Sequence, residues 1–320
     1  MGRSKITDQQ RLEKQIAVIG DEVGKKVISK LKSANIGPSD ADPQYGPHTL
    51  LKLSYLNYYL GVFLRIGGYR KQRGRFDKIV FLDAFGGSGL VRIAGSKYAV
   101  LGSTILAATA SSSGSTFDQV ISIEIDHKRA SLLRERCSIL GLSNVVVIEG
   151  DSNNEVQLLP RKVGIGPKTI VMLFIDPEGM EPQFSRFLPL SQATETMDVM
   201  LNATAGVTRL DGRIKNNLNP RDLEKMKSFN PNYQVGDNSL ESLIANFEQD
   251  FGKQIGRTVE IHSIGLTSVY TLILRVRRTL NNSQWVEAMN KFGDFISSID
   301  GQWALRTLRI VKGDQKVLFS

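Results

Sequence analysis

Apolar residues recur along the chain with helical spacing at first, and afterwards in short strand-like runs that alternate with helical spacing. Over residues 8–32, Leu, Ile and Val side chains recur every three or four positions, which is the spacing of one face of an amphipathic helix. A second helix is predicted for 49–66, ended by the pair Gly67-Gly68. Between these two helices, residues 37–47 are rich in Pro and Gly and predict a link.

From residue 78 onward, short apolar runs alternate with segments of helical spacing. The predicted strands are 79–84, 120–125, 145–149, 169–176, 198–203, 259–264 and 269–276. The predicted helices are 103–112, 127–140, 185–194, 239–251 and 283–296, with a final hairpin that ends at Ser320. Buried strands that alternate with helices indicate a mostly parallel, seven-stranded sheet with helices on both faces. The predicted fold class is therefore α/β and Rossmann-like.

The pattern divides the chain into three parts. Residues 1–47 are predicted to form a helical extension and linker, 48–280 the α/β domain, and 281–320 a helix and strand extension packed on it. Within the domain, 90–102 is predicted to be an extra loop, and the polar stretch 205–256 a helical insertion. Apolar runs fall short of the roughly 20 residues of a membrane span, so no membrane association is expected.

Cysteine and histidine are scarce. The single cysteine, Cys137, excludes an internal disulfide and a cysteine-cluster metal site, and it is predicted to lie in the core. We therefore expect a reducing, cytoplasmic location. His48, His127 and His262 lack the spacing of metal ligands, so no metal is predicted.

Positive charge is concentrated just before the first strand of the predicted sheet. The formal net charge is +9, and residues 51–80 hold seven Lys and Arg against one acid. Basic patches attract polyanions through Coulomb forces and counterion release, so we predict a polyanionic substrate, with nucleic acid foremost. A solvated helix end is the alternative. The candidate substrate-binding residues are Lys52, Arg70, Arg73 and Arg75.

The most informative stretch is a glycine-rich turn after the first strand, where Asp83 is followed by Ala-Phe-Gly-Gly-Ser-Gly. Glycines allow the backbone to turn tightly and to approach a ligand closely. The spacing G-x-G-x-x-G is absent, which argues against a nicotinamide-dependent oxidoreductase. An acid at the strand end suits a cationic ligand such as S-adenosylmethionine (SAM). Asp83 would hold the ammonium group of SAM directly or through water. The alternative interpretation is a plain strand-to-helix turn. The cofactor-binding candidates here are Asp83, Phe85, Gly86, Gly87 and Gly89.

Three further acids follow the next three predicted strands. Glu124 is suited to accept the ribose hydroxyls, and Asp151 to accept the adenine amino group or to cap the next helix. Asp176 ends the fourth strand, where Pro177 disfavours helix and directs the chain along the sheet edge; an Asp-Pro turn is the alternative. The nucleoside-binding candidates are Glu124, Asp151 and Ser152. The candidate catalytic residues are Asp176, Pro177 and Glu178.

The order of these acids resembles that of the class I SAM-dependent methyltransferases, in which successive strand ends meet ammonium, ribose, adenine and reaction centre. A closer resemblance, to the three-Cys-motif partner (TcmP) family, covers about residues 48–276. The matching pieces are residues 48–53, 83–89, 102–103, 150–153, 176–179 and 270–274, with Glu124. The resemblance implies a methyltransferase-like fold, often encoded beside a phage-type protein with a three-cysteine motif, and supplies no substrate. Residues 1–45 have no counterpart, and Glu178 stands where many relatives have an aromatic or aliphatic residue.

Three acceptor chemistries make different demands on these residues. Cytosine C5 methylation needs a cysteine after the fourth strand, and Cys137 lies elsewhere. Adenine amino methylation favours a Pro-Pro-aromatic sequence after the strand-end residue, from which Glu178 and Gly179 depart. Ribose 2′-O methylation needs a lysine, for which Lys52 is a candidate together with Asp176, and the sequence reveals no further partners.

We therefore predict a SAM-dependent methyltransferase that acts on a polyanionic substrate, nucleic acid foremost. The transfer would be direct and in line, without a covalent enzyme intermediate. Asp176 would orient or deprotonate the acceptor. The alternative is a catalytically weak SAM-binding module that supports a three-cysteine-motif enzyme partner, which the departure at Glu178 motivates.

Overall fold

The computed structural model describes residues 6–315, apart from 23–25, 218, 250, 253–254, 264, 266–267 and 277–282. In this part of the chain the helices are α1 (Asp8–Ile19), α2 (Val27–Ser33), α3 (Thr49–Gln72), α4 (Ser103–Thr109), α5 (His127–Ile139), α6 (Ser152–Glu155), α7 (Leu159–Lys162), α8 (Leu188–Ala193), α9 (Ala205–Asn216), α10 (Pro220–Phe229), α11 (Ser239–Gln249), α12 (Ser283–Ser297) and α13 (Gly301–Val311). The strands are β1 (Gln44–Tyr45), β2 (Lys78–Asp83), β3 (Leu90–Ile93), β4 (Ala99–Leu101), β5 (Gln119–Glu124), β6 (Val145–Glu149), β7 (Thr169–Ile175), β8 (Thr196–Thr204), β9 (Ile255–His262) and β10 (Ser268–Val276).

Seven of these strands form one sheet in the order β6-β5-β2-β7-β8-β10-β9. The first five run parallel to one another, whereas β10 is antiparallel to both β8 and β9. Helices cover both faces of the sheet, in two separate apolar clusters. This arrangement confirms the predicted Rossmann-like α/β fold.

The two clusters explain why the central strands read as unbroken apolar runs. One cluster draws on α1, α3, α4, α5, α12 and α13 and includes Tyr55 and the predicted core residue Cys137. The other draws on the helices from α7 to α11 and includes Phe184 and Phe229. Because both faces are covered, every residue of β7 is buried.

The single helix predicted for 8–32 is wrong, because the chain turns after α1. Gly20 ends that helix, and Asp21 adopts the left-handed conformation with a φ of 63°. The Asp21 carboxylate then accepts hydrogen bonds from the backbone N–H groups of Val27 and Ile28, at 2.8 and 2.7 Å. These bonds satisfy the free donors at the start of α2, so the apolar stripe continues on a second helix.

The helix end predicted at Gly67-Gly68 is also wrong, because α3 continues to Gln72. Both glycines are buried. A Cβ at Gly67 would lie 3.4 Å from Ile79 Cδ1, and a Cβ at Gly68 would overlap the Ser115 side chain. The glycines therefore allow close packing of α3 on its neighbours rather than ending it.

Two more predicted segments differ from the structure. Residues 90–102 are a hairpin of β3 and β4, which β1 joins to form a small second sheet. In the C-terminal stretch after α12, residues 301–311 form the helix α13, which was not predicted. The Asp300 carboxylate caps this helix by accepting a hydrogen bond from the Trp303 backbone N–H at 2.9 Å. Residues 316–320, with the end of the predicted hairpin, and Ile264 of the predicted strand 259–264 lie outside the described residues.

Candidate functional site

Four acids predicted from the sequence lie along one edge of the sheet. Asp83 ends β2 and Glu124 ends β5, while Asp176 directly follows β7 and Asp151 lies two residues after β6. These four strands are parallel neighbours in the sheet. The carboxyl ends of parallel strands meet at one edge, which is where such sheets bind ligands.

Asp83 is fully buried beneath this edge. Its Oδ2 atom accepts hydrogen bonds from the hydroxyl groups of Ser103 and Thr104, at 2.6 and 2.8 Å. Burial raises the pKa of Asp83 to about 6, although the two hydroxyl donors oppose this rise. Ser103 also lines the neighbouring cavity, so the Asp83 carboxylate faces that cavity through the Ser103 hydroxyl.

The glycine-rich turn follows Asp83 and is shaped by Glu124. Gly87 and Gly89 have φ angles of 62° and 90°, which glycine adopts without strain. The Gly87 N–H donates to Glu124 Oε2 at 2.8 Å, and the Asp126 N–H donates to Glu124 Oε1 at 2.8 Å. No described atom lies within 4 Å of the position that a Cβ on Gly87 would occupy, so the turn presents open backbone to the cleft. Phe85 and Gly86 belong to the same turn and line the same cavity.

Asp151 caps a helix, one of the two roles that the sequence left open. Its side chain accepts a hydrogen bond from the Asn153 backbone N–H at 2.9 Å, at the start of α6. The hydroxyl oxygen of the next residue, Ser152, is buried without a hydrogen-bond partner in the described part of the chain. A buried polar atom without a partner, at the edge where such sheets bind ligands, is suited to bond a polar ligand.

Asp176 is held by two partners. Lys52, which is on the first turn of α3 and nearly buried, donates to both carboxylate oxygens at 2.8 and 2.6 Å. The side-chain amide of Asn202, in β8, donates to Oδ1 at 2.7 Å. A partly buried, doubly bonded ion pair of this kind fixes both side chains in one orientation. Pro177 is buried directly after Asp176, which holds the strand exit in place.

Aromatic rings enclose the Lys52 ammonium group. Its Nζ atom lies 5.7 Å from the centroid of the Tyr45 ring and 5.2 Å from that of Tyr270, within the range of cation–π attraction. His48 packs edge-on against Tyr270, with centroids 5.5 Å apart. Burial, reinforced by the charge on Lys52, lowers the pKa of His48 to about 4. His48 is therefore neutral at pH 7, and Lys52 supplies the cation at this point.

Glu178 spans the mouth of the site. The Tyr45 hydroxyl donates to Glu178 Oε1 at 3.0 Å, and the Arg129 guanidinium lies 3.4 Å from the same oxygen. Burial and the Glu178 charge raise the pKa of Tyr45 above its usual range, so the phenol stays protonated and remains the donor. The residue in which this chain departs from the TcmP pattern therefore connects two sides of the cleft.

One cavity of about 50 Å³ joins these groups. It lies between the glycine-rich turn, from Phe85 to Val91, and the pair formed by Lys52 and Asp176. The glycine-rich turn, which was predicted to bind a cofactor, therefore lines the same space as Lys52 and Asp176.

The other basic candidates lie elsewhere. Lys52 lies on the first turn of α3. Arg70, Arg73 and Arg75 lie at the other end of this helix or just beyond it, before β2. At 1.5 Å per residue, the helix separates Lys52 from Arg73 by about 30 Å. The Arg73 guanidinium lies over the exposed Tyr69 ring, 4.4 Å from its centroid. The structure therefore brings Lys52, but not the three arginines, into the site.

A buried arginine that the sequence did not reveal supports the glycine-rich turn. Arg136, in α5, is fully buried and forms an ion pair with Asp42. It also donates to the backbone carbonyl groups of Gly37 and Ser88, at 2.7 and 3.0 Å. Because Ser88 belongs to the turn, Arg136 ties the link before α3 to the cofactor side of the cavity.

Sequence reasoning also missed Tyr45, Asn202 and Tyr270. Asn202 carried a usable signal, because it stands near the end of a predicted strand, as the four acids do. Tyr270 begins a segment that matches the TcmP pattern, whereas Tyr45 carried no signal. Both reach the site through long-range packing of β10 and β1. In the described residues, no cluster of three or more His, Cys, Asp or Glu side chains has a metal-binding arrangement.

The strand order defines a Rossmann-like α/β fold. No family model and no curated protein matches the chain. Similar solved structures include the Bacillus cereus O-methyltransferase in complex with SAH (17% identity, 83% of this chain and 100% of that chain, TM-score 0.41). Others are the O-methyltransferase TomG of Streptomyces achromogenes in complex with SAM (14%, 79% and 88%, TM-score 0.40) and TYW2 of M. jannaschii in complex with AdoMet (15%, 65% and 73%, TM-score 0.33).

At these identities and scores the likenesses bear on the fold alone. The TcmP resemblance of the motifs stays a prediction. Among the helices of the described chain, none is both long and apolar enough to cross a membrane.

Proposed function

We propose that this chain is a SAM-dependent methyltransferase that acts on a polyanion, nucleic acid foremost, in a reducing cytoplasm. The observation that carries the proposal is the shared cavity between the glycine-rich turn and the Lys52–Asp176 pair. The open backbone of the glycine-rich turn, the Ser103 hydroxyl that donates to Asp83, and the pair suited to moving a proton line the same space.

The residues at this edge fit SAM. Asp83 would hold the ammonium group through the Ser103 hydroxyl or through water, because its own carboxylate is fully covered. Glu124 would accept the ribose hydroxyls. The adenine would lie near Asp151 and Ser152, whose hydroxyl oxygen is buried without a partner in the described chain. When bound, SAM supplies a methyl group activated by the sulfonium charge.

The protein side of the reaction is mainly alignment and proton transfer. Asp176, fixed by Lys52 and Asn202, would orient the acceptor and take its proton. A covalent intermediate through cysteine is not part of the proposal. Cys137 is buried in α5, away from the edge, and burial raises the pKa of its thiol to about 12.

The separation of the basic cluster from the site supports a polymeric substrate. Arg73, directly after α3, lies about 30 Å from Lys52 along the helix axis, farther than a small molecule reaches, and Arg75 follows two residues later. A nucleic-acid strand spans that distance over several nucleotides, and its phosphates would contact the arginines while one nucleotide occupies the site.

Isothermal titration calorimetry with SAM and with SAH tests the cofactor assignment. We expect binding by the full chain and a large loss of affinity in Asp83→Asn, because the buried charge that attracts the ammonium is removed. The matched control is Asp77→Asn, which changes an exposed acid just before the same strand and should leave affinity unchanged. No heat with either ligand at millimolar concentration would refute the proposal.

A second candidate is a SAM-binding module that supports a three-cysteine-motif partner protein. The observation that favours it is the Tyr45–Glu178–Arg129 connection beside the site. Under this candidate the chain binds SAH normally but transfers no tritiated methyl to RNA, DNA or protein. Under this candidate the Glu178→Ala variant also transfers no methyl group. If the chain is an active enzyme, the same variant retains methyl transfer.

A further inference from the structure

Among the described residues, some hydrogen-bonding positions around Asp176 remain unoccupied. An ammonium group has three N–H donors, and Lys52 directs two bonds to the Asp176 carboxylate. Asn202 donates its amide N–H to the same carboxylate, yet its Oδ1 atom is buried without a partner in the described residues. A group that enters the site therefore meets one remaining cationic donor and free acceptor positions.

The remaining Lys52 N–H matches a hydroxyl group better than an amino group. A hydroxyl donates one hydrogen bond and accepts others, so it can bond to the lysine and to a carboxylate at once. A nucleobase amino group donates two hydrogen bonds, and its lone pair is delocalised into the ring. Its two N–H groups would find acceptors in Asp176 and Asn202, but its nitrogen cannot accept the remaining Lys52 N–H, which leaves that buried donor unpaired.

Lys52 cannot turn away to relieve such a mismatch. The Tyr45 and Tyr270 rings flank its ammonium group, and its side chain is nearly buried. The carboxylate of Asp176 holds the same group from a third side. The donor direction is therefore fixed by the fold, as a site that selects its acceptor atom requires.

We propose that the acceptor atom is a hydroxyl oxygen, and specifically the ribose 2′-hydroxyl of RNA; this rests on the methyltransferase function proposed above. Lys52 donates to the hydroxyl oxygen, and Asp176 accepts the hydroxyl proton. A bond forms between this oxygen and the methyl carbon while the carbon–sulfur bond breaks, and the sulfur keeps that electron pair. The O–H electron pair stays on oxygen and the proton passes to Asp176. Among nucleic acids, RNA carries this hydroxyl at each nucleotide and DNA does not.

Tritium-labelled SAM, incubated with the full chain and with total cellular RNA or DNA, tests the proposal. A methylated 2′-oxygen cannot attack the adjacent phosphodiester, so the label should survive alkaline hydrolysis in dinucleotides, and DNA should remain unlabelled. Lys52→Met should lower RNA labelling by about 100-fold or more, the range of one proton-transfer group. SAH binding by calorimetry should be retained in this variant, which also shows that it folds. Lys291→Met, at an exposed lysine of α12, should label RNA as the unaltered chain does.

The outcomes separate this proposal from the function on which it rests. Label in mononucleotides, equal labelling of DNA, or no RNA labelling by a chain that binds SAH would each overturn the hydroxyl acceptor. If Lys52→Met labels RNA at the unaltered rate, the role of Lys52 is wrong. Failure to bind SAM and SAH would instead remove the methyltransferase function itself.

Discussion

At the scale of single residues, the buried Asp83 makes stability depend on pH. Burial raises its pKa from 3.8 to about 6 in the folded chain. The folded state therefore holds the Asp83 proton more tightly than the unfolded state does. The resulting stabilisation is complete below pH 3.8 and is lost as the pH rises through 6.

We expect the free energy of unfolding, relative to Asp83→Asn, to fall between pH 4 and pH 7. The shift of about two pKa units corresponds to a fall of about 3 kcal/mol. Urea denaturation of both chains at several pH values measures it. The asparagine variant serves as the reference, because it lacks the titrating group. A difference that is constant with pH would show that Asp83 does not titrate in this range.

Asp176 illustrates what a single residue reveals by itself. Its position after an apolar strand and before Pro177 marks it as a site candidate in the sequence. Its partner Lys52 stands 124 residues earlier in the chain, on a helix that reads as an ordinary apolar segment. The acid was thus predictable from its own strand. Lys52 was a candidate partner only through the demands of ribose 2′-O methylation, and the geometry of the ion pair was not predictable.

At the scale of elements, α3 contains glycines with opposite roles. Gly68 packs so closely that an added Cβ would overlap Ser115, whereas no described atom lies within 4 Å of a Cβ placed on Gly61. We expect Gly68→Ala to destabilise the protein by about 1–3 kcal/mol through overpacking. Gly61→Ala should stabilise it by about 0.5–1 kcal/mol, because alanine favours helix.

Thermal or urea unfolding of the two variants measures this contrast on one helix. Adding Ser115→Gly to Gly68→Ala should recover part of the loss, since it removes the overlapping side chain. Equal effects of the two alanine substitutions would mean that α3 does not approach the 115 loop as described.

At the scale of the whole molecule, the substrate should have to reach both ends of α3. We expect RNA of about 20 nucleotides to bind much more tightly than RNA of about 3, because only the longer strand spans the roughly 30 Å between Lys52 and Arg73. Arg73→Glu with Arg75→Glu should reduce the slope of log affinity against log salt by about 1–2, as expected for lost phosphate contacts.

Fluorescence anisotropy at several salt concentrations measures both effects. Lys291→Glu, which reverses an exposed charge on α12, is the matched control and should leave the slope nearly unchanged. If the double arginine variant also keeps its slope, the basic cluster does not contact the substrate.

The sequence by itself determined the sheet and the row of acids. Apolar strands, glycine turns and strand-end carboxylates are local patterns, and parallel strands necessarily end at one edge. For this reason Asp83, Glu124, Asp151 and Asp176 were correctly expected together. The predictions that were wrong concerned the break after α1 and the end of α3. Both features depend on close packing and capping contacts that no local pattern encodes.

Only the tertiary structure decided which distant residues meet these acids. The direction of α3 across the sheet brings Lys52 to Asp176 and carries Arg70, Arg73 and Arg75 to the opposite end. The packing of β1 and β10 brings Tyr45 and Tyr270 around the same lysine. These contacts join residues far apart in the chain, and their geometry follows from how whole elements pack rather than from the order of neighbouring side chains.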